Sequence, residues 1–219
     1  MASLPSGDVA PLDGSLPSSV LAGSADRTFH AYLHIPFCRV RCGYCDFNTY
    51  TSTELRGVSQ NSFLDNLTTE ISLGRKVIEN AGLPKRKFSS IFFGGGTPTQ
   101  LAADQLAAVL GLLGEEYGIV SGAEITTEAN PDNVDVQYFE TLAGAGFTRV
   151  SIGMQSAVPE VLATLDRTHN PENVARAVAA AKSFGLQTSV DLIYGTPGES
   201  LADWRISLDE AVALDVDHI

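Results

Sequence analysis

The chain has 219 residues, and its content of 44% hydrophobic and 18% charged residues is ordinary for a globular protein of one or two domains. Acidic residues outnumber basic residues 26 to 14, which gives a formal net charge of −12. A field of that sign repels phosphate backbones and anionic lipid, so the composition argues against nucleic-acid binding and against membrane docking through a basic face. We also expect no integral membrane segment and no secretion signal, and therefore a cytoplasmic location.

The first 27 residues differ in composition from the rest of the chain. They are rich in Ser, Pro and Gly and contain no aromatic residue. Such a segment buries too little apolar surface to order itself. Residues 1–27 are therefore predicted to be a flexible tail, and residues 28–219 one core domain.

Within the core domain, strand-like apolar runs alternate with segments of helical spacing. The predicted strands cover residues 29–35, 89–93, 124–129, 148–153 and 188–194. The predicted helices cover residues 61–80, 101–116, 134–145, 159–165, 171–184 and 201–214, and a polar loop through about residue 59 precedes the first of them. In the last helix, the spacing predicts an inward face made of Leu201, Trp204, Leu208 and Val212.

This alternation predicts an α/β fold with a parallel sheet and right-handed crossovers. The strands are mostly apolar, as expected where helices cover a sheet. An open doubly wound sheet and a curled (β/α) barrel both fit the pattern. Residues 216–219 look like the start of a sixth strand, so we expect a truncated chain whose fold is incomplete at the C-terminal end.

Three cysteines, Cys38, Cys42 and Cys45, follow the first predicted strand with C-x3-C-x2-C spacing. An odd, closely spaced set argues against a disulfide framework and for metal binding in a reducing compartment. Structural zinc needs four ligands, and His34, within the predicted strand, is an available fourth. Three thiolates can instead hold a [4Fe–4S] cluster with one iron left open. We expect the cluster in preference to zinc.

Residues 32–38 (YLHIPFC) and 42–47 (CGYCDF) resemble the cysteine motif of radical-SAM proteins of the oxygen-independent coproporphyrinogen oxidase group. The segments GGGTP at 94–98, EITTEANP at 124–131 and DLIYGTPG at 191–198 match the same group in the same order. This resemblance implies a partial (β/α) barrel of the radical-SAM type. It also implies a [4Fe–4S] cluster on the three cysteines, with S-adenosylmethionine bound at the open iron.

The resemblance further implies contacts to the cofactor. The backbone of Gly95, Gly96 and Thr97 would receive the methionine part of S-adenosylmethionine, and Glu128 would bind its ammonium group or its ribose hydroxyls. Further cofactor residues implied by the resemblance are Tyr32, Tyr44, Gln155, Arg167 and Asp191.

Read without the resemblance, several of these residues have simpler explanations. Glu128 is equally a solvated carboxylate at a strand end, Arg167 equally a salt-bridge partner of Asp166 or of a nearby carboxylate, and the two tyrosines are explained by packing. Asp191 differs, because a lone carboxylate in an apolar strand needs a partner. His169 also matches the group, and helix capping is its expected role.

Two functions fit the resemblance. The oxidase cleaves S-adenosylmethionine reductively and decarboxylates porphyrinogen propionates, whereas haem chaperones of the same group share the cofactor site and deliver haem to acceptor proteins. The oxidase has a further cysteine two residues after the third, where this chain has Phe47. It also has an aromatic, Arg-containing N-terminal arm, whereas residues 1–27 lack Tyr and Trp.

Both differences favour the haem chaperone, whose haem site would lie largely beyond Ile219. An inactive truncated copy is a third hypothesis, and radical chemistry would also need an electron donor.

Overall fold

The computed structural model describes residue 7, residues 9–51 and residues 59–219. Residues 1–6 and 8 of the predicted tail and residues 52–58 of the predicted polar loop lie outside the described residues. Ser18–Leu21 forms a 3-10 helix, and the Arg27 guanidinium donates hydrogen bonds to the carbonyl oxygens of Val20 and Ala22 at 3.2 and 3.1 Å. The flexibility of residues 1–27 stays a prediction.

Five strands form one parallel sheet, and their order in the sheet equals their order in the chain. The strands are β1 (His30–Ile35), β2 (Phe88–Gly95), β3 (Ile119–Ala129), β4 (Arg149–Gln155) and β5 (Gln187–Leu192). A doubly wound sheet reverses its strand order at a switch point. A sequential order with crossovers of one hand places the helices on one face, as in a barrel segment. The predicted partial (β/α) barrel is therefore confirmed.

The described part of the chain has six α-helices between and after these strands, two of them between β4 and β5, close to the predicted bounds. They are α1 (Gln60–Asn80), α2 (Ala103–Glu116), α3 (Val136–Ala145), α4 (Pro159–Thr164), α5 (Glu172–Ser183) and α6 (Leu201–Ala213). The residues before α1, α3 and α6 explain where these helices begin, because the side chains of Ser59, Asp135 and Ser200 each accept a hydrogen bond from a backbone N–H of the first turn.

One predicted strand begins earlier than its apolar run. β3 starts at Ile119 rather than at residue 124, because Ile119 pairs with Phe88 across a register shift before the regular ladder begins at Ser90 and Glu124. The carboxyl end of β3, which matters for the site, lies where it was predicted.

The core lies between the sheet and the helix layer. Its largest fully buried side chains include Phe93, Phe139, Ile91, Leu106 and Ile152. Phe93 of β2 packs on Phe147 with ring centroids 5.2 Å apart. Because one continuous cluster of buried side chains joins all five strands, the sheet is a rigid base for the loops at its carboxyl edge.

The predicted inward face of α6 is wrong at two of its four positions, since Trp204 and Leu208 are half-buried. Leu201 and Val212 are 87% and 70% exposed, whereas the buried positions are Ser207 and Ala211. The Ser207 hydroxyl lies 3.0 Å from the Ser156 hydroxyl and accepts a hydrogen bond from the Ala157 N–H at 3.1 Å. Because Ser207 and Ala211 are small, α6 can lie close to the end of β4. The face of α6 that contacts the sheet is therefore rotated away from the face that carries Leu201 and Val212.

The last residues of the chain pair with β5, as predicted for the start of a sixth strand. The backbone N–H groups of Asp217 and His218 both donate to the Thr188 carbonyl, and the His218 carbonyl accepts from the Val190 N–H at 3.2 Å. Separately, no helix in the described part of the chain has the length and hydropathy needed to cross a membrane.

Candidate functional site

A cleft of about 190 Å³ opens at the carboxyl ends of the strands, where sites collect in barrels of this type. It is lined by all but one of the predicted site residues: Cys38, Cys42, Tyr44, Cys45, Gly95, Gly96, Thr97, Glu128, Gln155, Arg167 and Asp191. The exception is Tyr32, whose hydroxyl instead lies 3.0 Å from Nδ1 of His34. The structure thus gathers residues from the ends of four strands, β2 to β5, and from the loops that follow β1, β2 and α4 around one space.

The cysteine loop begins directly after β1 and is fixed at both ends. The Cys38 N–H donates to the Tyr50 carbonyl at 3.0 Å, and the Tyr50 N–H donates to the Pro36 carbonyl at 2.8 Å. Farther along, the Gly43 N–H donates to the Leu165 carbonyl at 3.2 Å. All three cysteines are free thiols at intermediate exposure. Burial raises the pKa of the Cys38 thiol, and hydrogen bonds with Thr49 and Thr97 oppose that rise.

The glycine-rich turn after β2 lies against this loop. The Gly96 N–H donates to the Ile35 carbonyl and the Thr97 N–H to the Phe37 carbonyl, both at 2.8 Å. A β-carbon on Gly96 would lie 2.6 Å from the Phe37 carbonyl oxygen and 3.0 Å from Cys38 Sγ. Only glycine leaves enough room here for the turn to meet the cysteine loop.

His34 does not serve as a fourth metal ligand in this arrangement. Its Nε2 lies 2.8 Å from the Asn48 carbonyl oxygen and its Nδ1 contacts the Tyr32 hydroxyl, so both ring nitrogens are engaged. Among the residues that the structure describes, no three His, Cys, Asp or Glu side chains converge as a single-ion site. This geometry disfavours zinc. A [4Fe–4S] cluster does not require its ligands to converge on one ion, because each thiolate binds a different iron.

Two carboxylates face the cleft from the ends of β3 and β5. The Gly95 N–H donates to Glu128 Oε2 at 3.2 Å, and the Ser151 hydroxyl donates to Asp191 Oδ1 at 3.0 Å. Burial raises the pKa of Glu128 to about 7, and the nearby Asp191 adds to the rise. Asp191 is exposed as a residue, yet burial of its carboxyl group against the surrounding protein raises its pKa as well, and the hydrogen bond from Ser151 opposes that rise. Two carboxylates in one cleft favour a cationic or hydroxyl-bearing ligand.

Arg167 brings a positive charge to the cleft, which Arg39 and Arg41 also line. Its Nη2 donates to the Gly153 carbonyl at 2.9 Å and its Nη1 lies 3.7 Å from Cys42 Sγ, while its buried Nε has no partner among the described residues. Among the described residues, neither Asp166 nor another carboxylate forms an ion pair with Arg167, so the structure does not support the salt-bridge alternative. Gln155 ends β4 with a φ of 63°, which turns the chain inward at the cleft.

His169 is not a helix cap. It is 5% exposed, and neither of its ring nitrogens has a hydrogen-bond partner among the described residues. The Asn170 side chain accepts the Glu172 N–H at 3.1 Å instead. Burial lowers the pKa of His169 to about 4, and the positive charge of Arg167 acts in the same direction, so the ring is neutral near pH 7.

Sequence reasoning missed three polar residues near Asp191. Arg149, Ser151 and Ser189 lie at alternate positions of β4 and β5 on the face that carries Asp191. The signal available in the sequence was the period of two between these polar residues within otherwise apolar strands.

The cleft fits a [4Fe–4S] cluster with S-adenosylmethionine. Three free thiols meet a backbone turn that no side chain fills, and an arginine with an unpartnered buried nitrogen faces them. The free thiols suit a thiolate-bound cluster. The open turn leaves room for the amino-acid part of the ligand close to the backbone, and the arginine can pair with a ligand carboxylate.

Comparisons with known proteins agree with this geometry. The family model of the Radical SAM superfamily matches residues 32–211. A protein of Mycobacterium tuberculosis named heme chaperone HemW is 45% identical over 91% of this chain and 50% of its own length. Its namesake from Escherichia coli K12 is 35% identical over 86% of this chain and 48% of its own length.

A solved structure gives the same result for the fold. Coproporphyrinogen III oxidase HemN from Escherichia coli, described as a radical SAM enzyme, superimposes with a TM-score of 0.77 and 28% identity. The alignment covers 92% of this chain and 46% of that protein. The chain spans about half the length of the curated relatives that it matches. On the match over residues 32–211, this chain belongs to the Radical SAM superfamily.

Proposed function

We propose that this chain is the cofactor-binding part of a radical-SAM haem chaperone, which binds a [4Fe–4S] cluster and S-adenosylmethionine and delivers haem to acceptor proteins in the cytoplasm. The observation that carries the proposal is the single cleft that joins three free thiols to a glycine turn, two carboxylates and Arg167. Haem and its acceptor proteins are the proposed partners, and the haem site is proposed to lie beyond Ile219.

Each group in the cleft has a role in this proposal. Cys38, Cys42 and Cys45 would hold the cluster, which when bound and reduced would supply an electron for S-adenosylmethionine chemistry. The backbone of Gly95 to Thr97 receives the methionine part of the cofactor, and Arg167 pairs with its carboxylate.

The acidic side of the cleft completes the binding. Glu128 and Asp191 accept hydrogen bonds from the cofactor's ammonium or ribose groups. Tyr44, beside Cys42, and Gln155, at the end of β4, limit the space around the bound cofactor.

Phe47 supports the chaperone over the oxidase. It lines the cleft and is 64% exposed, at the position where the resembling oxidases have a further cysteine. A phenyl ring offers no ligand to iron. The 45% identity with a protein named heme chaperone HemW points the same way. The oxidase remains the second candidate because the HemN structure superimposes so closely.

Anaerobic reconstitution tests the cofactor site. Wild-type chain should take up about four irons and show thiolate-to-iron charge-transfer absorption, whereas Cys42→Ser should lose most of both. Ser207→Ala, which also alters a buried hydrogen bond but lies in α6, is the matched control and should load like the wild type. Stoichiometric zinc without iron uptake would refute the cluster.

A second experiment distinguishes the haem chaperone from the oxidase. It uses the full-length natural protein that contains this sequence. Stable haem binding, and haem transfer to an apo-acceptor, support the chaperone. Turnover of coproporphyrinogen in the presence of S-adenosylmethionine and a reductant would instead assign the oxidase.

A further inference from the structure

A line of hydrogen bonds crosses β4 and β5 and ends at Asp191. The Arg149 Nη2 donates to the Ser189 hydroxyl at 2.8 Å, the Ser189 hydroxyl donates to the Ser151 hydroxyl at 2.8 Å, and the Ser151 hydroxyl donates to Asp191 Oδ1 at 3.0 Å. Both serines are almost fully buried, at 1% and 6% exposure. These contacts satisfy both hydroxyls of the line.

The register of the sheet makes this line possible. Ser151 pairs with Ser189, and Gly153 pairs with Asp191, in the parallel ladder between β4 and β5. Side chains two positions apart point to the same face. Arg149, the two serines and Asp191 therefore share one face, and at Gly153, the partner of Asp191, the side chains of Gln155 and Arg167 lie against the backbone.

The two ends of the line determine its direction. A guanidinium only donates hydrogen bonds, and a carboxylate only accepts them. Each serine hydroxyl must therefore accept from the Arg149 side and donate toward Asp191. A line of hydrogen bonds polarised in this way favours the ionised form of the Asp191 carboxylate. The line occupies Oδ1 of Asp191, while Oδ2 has no hydrogen-bond partner among the described residues.

We propose that Arg149, acting through Ser189 and Ser151, is a positioning group that orients the Asp191 carboxylate and keeps it ionised for the cofactor. This inference rests on the proposed function, in which Asp191 binds S-adenosylmethionine. Arg149 touches no cofactor in this proposal.

Other charges around Asp191 have to be separated from this effect. Glu128 faces it from β3, Arg167 from the segment after α4, and His218 from the end of the chain. Arg149 also lies 3.9 Å from Glu124, which moderates its charge. A variant that breaks the line but keeps every one of these charges is therefore the decisive one, and Ser189→Ala does this.

The first test needs no metal. Carboxyl carbon-13 NMR of the unliganded chain follows the Asp191 titration, with Asp191→Asn giving the assignment. Ser189→Ala should raise the pKa of Asp191, and Arg149→Gln should raise it more than Arg149→Lys, which keeps the positive charge. Ser207→Ala removes an equally buried hydroxyl outside the line and should leave the titration unchanged.

The second test measures S-adenosylmethionine binding by anaerobically reconstituted protein. Ser189→Ala should weaken binding by about 2- to 10-fold, with a larger loss at pH 6 than at pH 8, whereas a merely structural effect would be equal at both. An Asp191 titration that moves in Arg149→Gln but not in Ser189→Ala would overturn the inference, because charge alone would then act. Wild-type protein that binds no S-adenosylmethionine would refute the proposed function, while the titration would still decide the role of the line.

Discussion

Replacing Gly96 with alanine tests the close contact between the glycine turn and the cysteine loop. The new β-carbon would lie 2.6 Å from the Phe37 carbonyl oxygen, whereas unstrained carbon–oxygen contacts lie at about 3.3–3.6 Å. The obstacle is backbone, so no side-chain rotation relieves the overlap. The turn must move away from β1, and the two 2.8 Å hydrogen bonds of Gly96 and Thr97 must lengthen.

The cost follows from these contacts. Overpacking costs about 1–3 kcal/mol, and each weakened hydrogen bond adds about 0.5–1.5 kcal/mol. We expect Gly96→Ala to lower the free energy of unfolding by about 2–6 kcal/mol, measured by urea denaturation of the metal-free chain. Cys38 Sγ, 3.0 Å from the same β-carbon, should also shift, so iron uptake should fall.

Gly144→Ala is the matched control. Gly144 lies in α3, and a β-carbon there meets nothing within 4 Å. This substitution should stabilise the chain by about 0.5–1 kcal/mol, since alanine is the better helix former. A Gly96→Ala chain within about 0.5 kcal/mol of wild type would refute the steric reasoning.

Two further predictions concern the carboxylate site and the core. The pKa of Glu128 is raised to about 7 in the folded chain, so folding favours its protonated form, and its contribution to stability falls as pH rises from about 4.5 to about 7. In urea denaturation, the Glu128→Gln chain should lose this pH-dependent fall in unfolding free energy between about pH 4.5 and 7. The control Glu140→Gln, at an exposed position, should show the same fall as the wild type. Phe139 is fully buried, so Phe139→Ala should cost about 3–5 kcal/mol of unfolding free energy. Val136→Ala, 59% exposed in the same helix, should change the unfolding free energy far less, and equal losses would argue against the described core.

The positions of the strands and of the cleft residues followed from local signals in the sequence. The cysteines come directly after an apolar run, and Gly94 to Gly96 and Glu128 stand at the ends of others, so a parallel sheet brings them to one edge. The choice between a barrel and a doubly wound sheet could not be made from such local signals. It depends on which strands are neighbours, and local periodicity does not encode that.

The inward face of α6 could not be predicted for a related reason. Leu201 and Val212 fit a helical stripe, but the buried positions of α6 are Ala211 and Ser207, and the Ser207 hydroxyl bonds to Ser156 just after β4. A tertiary hydrogen bond between residues 51 positions apart outweighed the apolar pattern. The serine line beneath Asp191 was missed similarly, because a hydroxyl in a strand gives no sign of its partner on the next strand.

The parallel order of the sheet also constrains how the chain folds. His30 and Ser90, which pair between β1 and β2, are 60 positions apart, so each strand pairing must close a long loop before it gains its hydrogen bonds. Chains dominated by such distant pairings fold slowly.

The cleft draws on the loop directly after the first strand and on the last strand, since both Cys38 and Asp191 line it. A ligand that touches both residues meets a complete site only after all four strand pairings have formed. Ligand binding therefore comes at the end of folding and cannot act as a nucleus for it. Once bound, such a ligand opposes the opening of any one of the strand pairs, because losing a single pair takes the site apart.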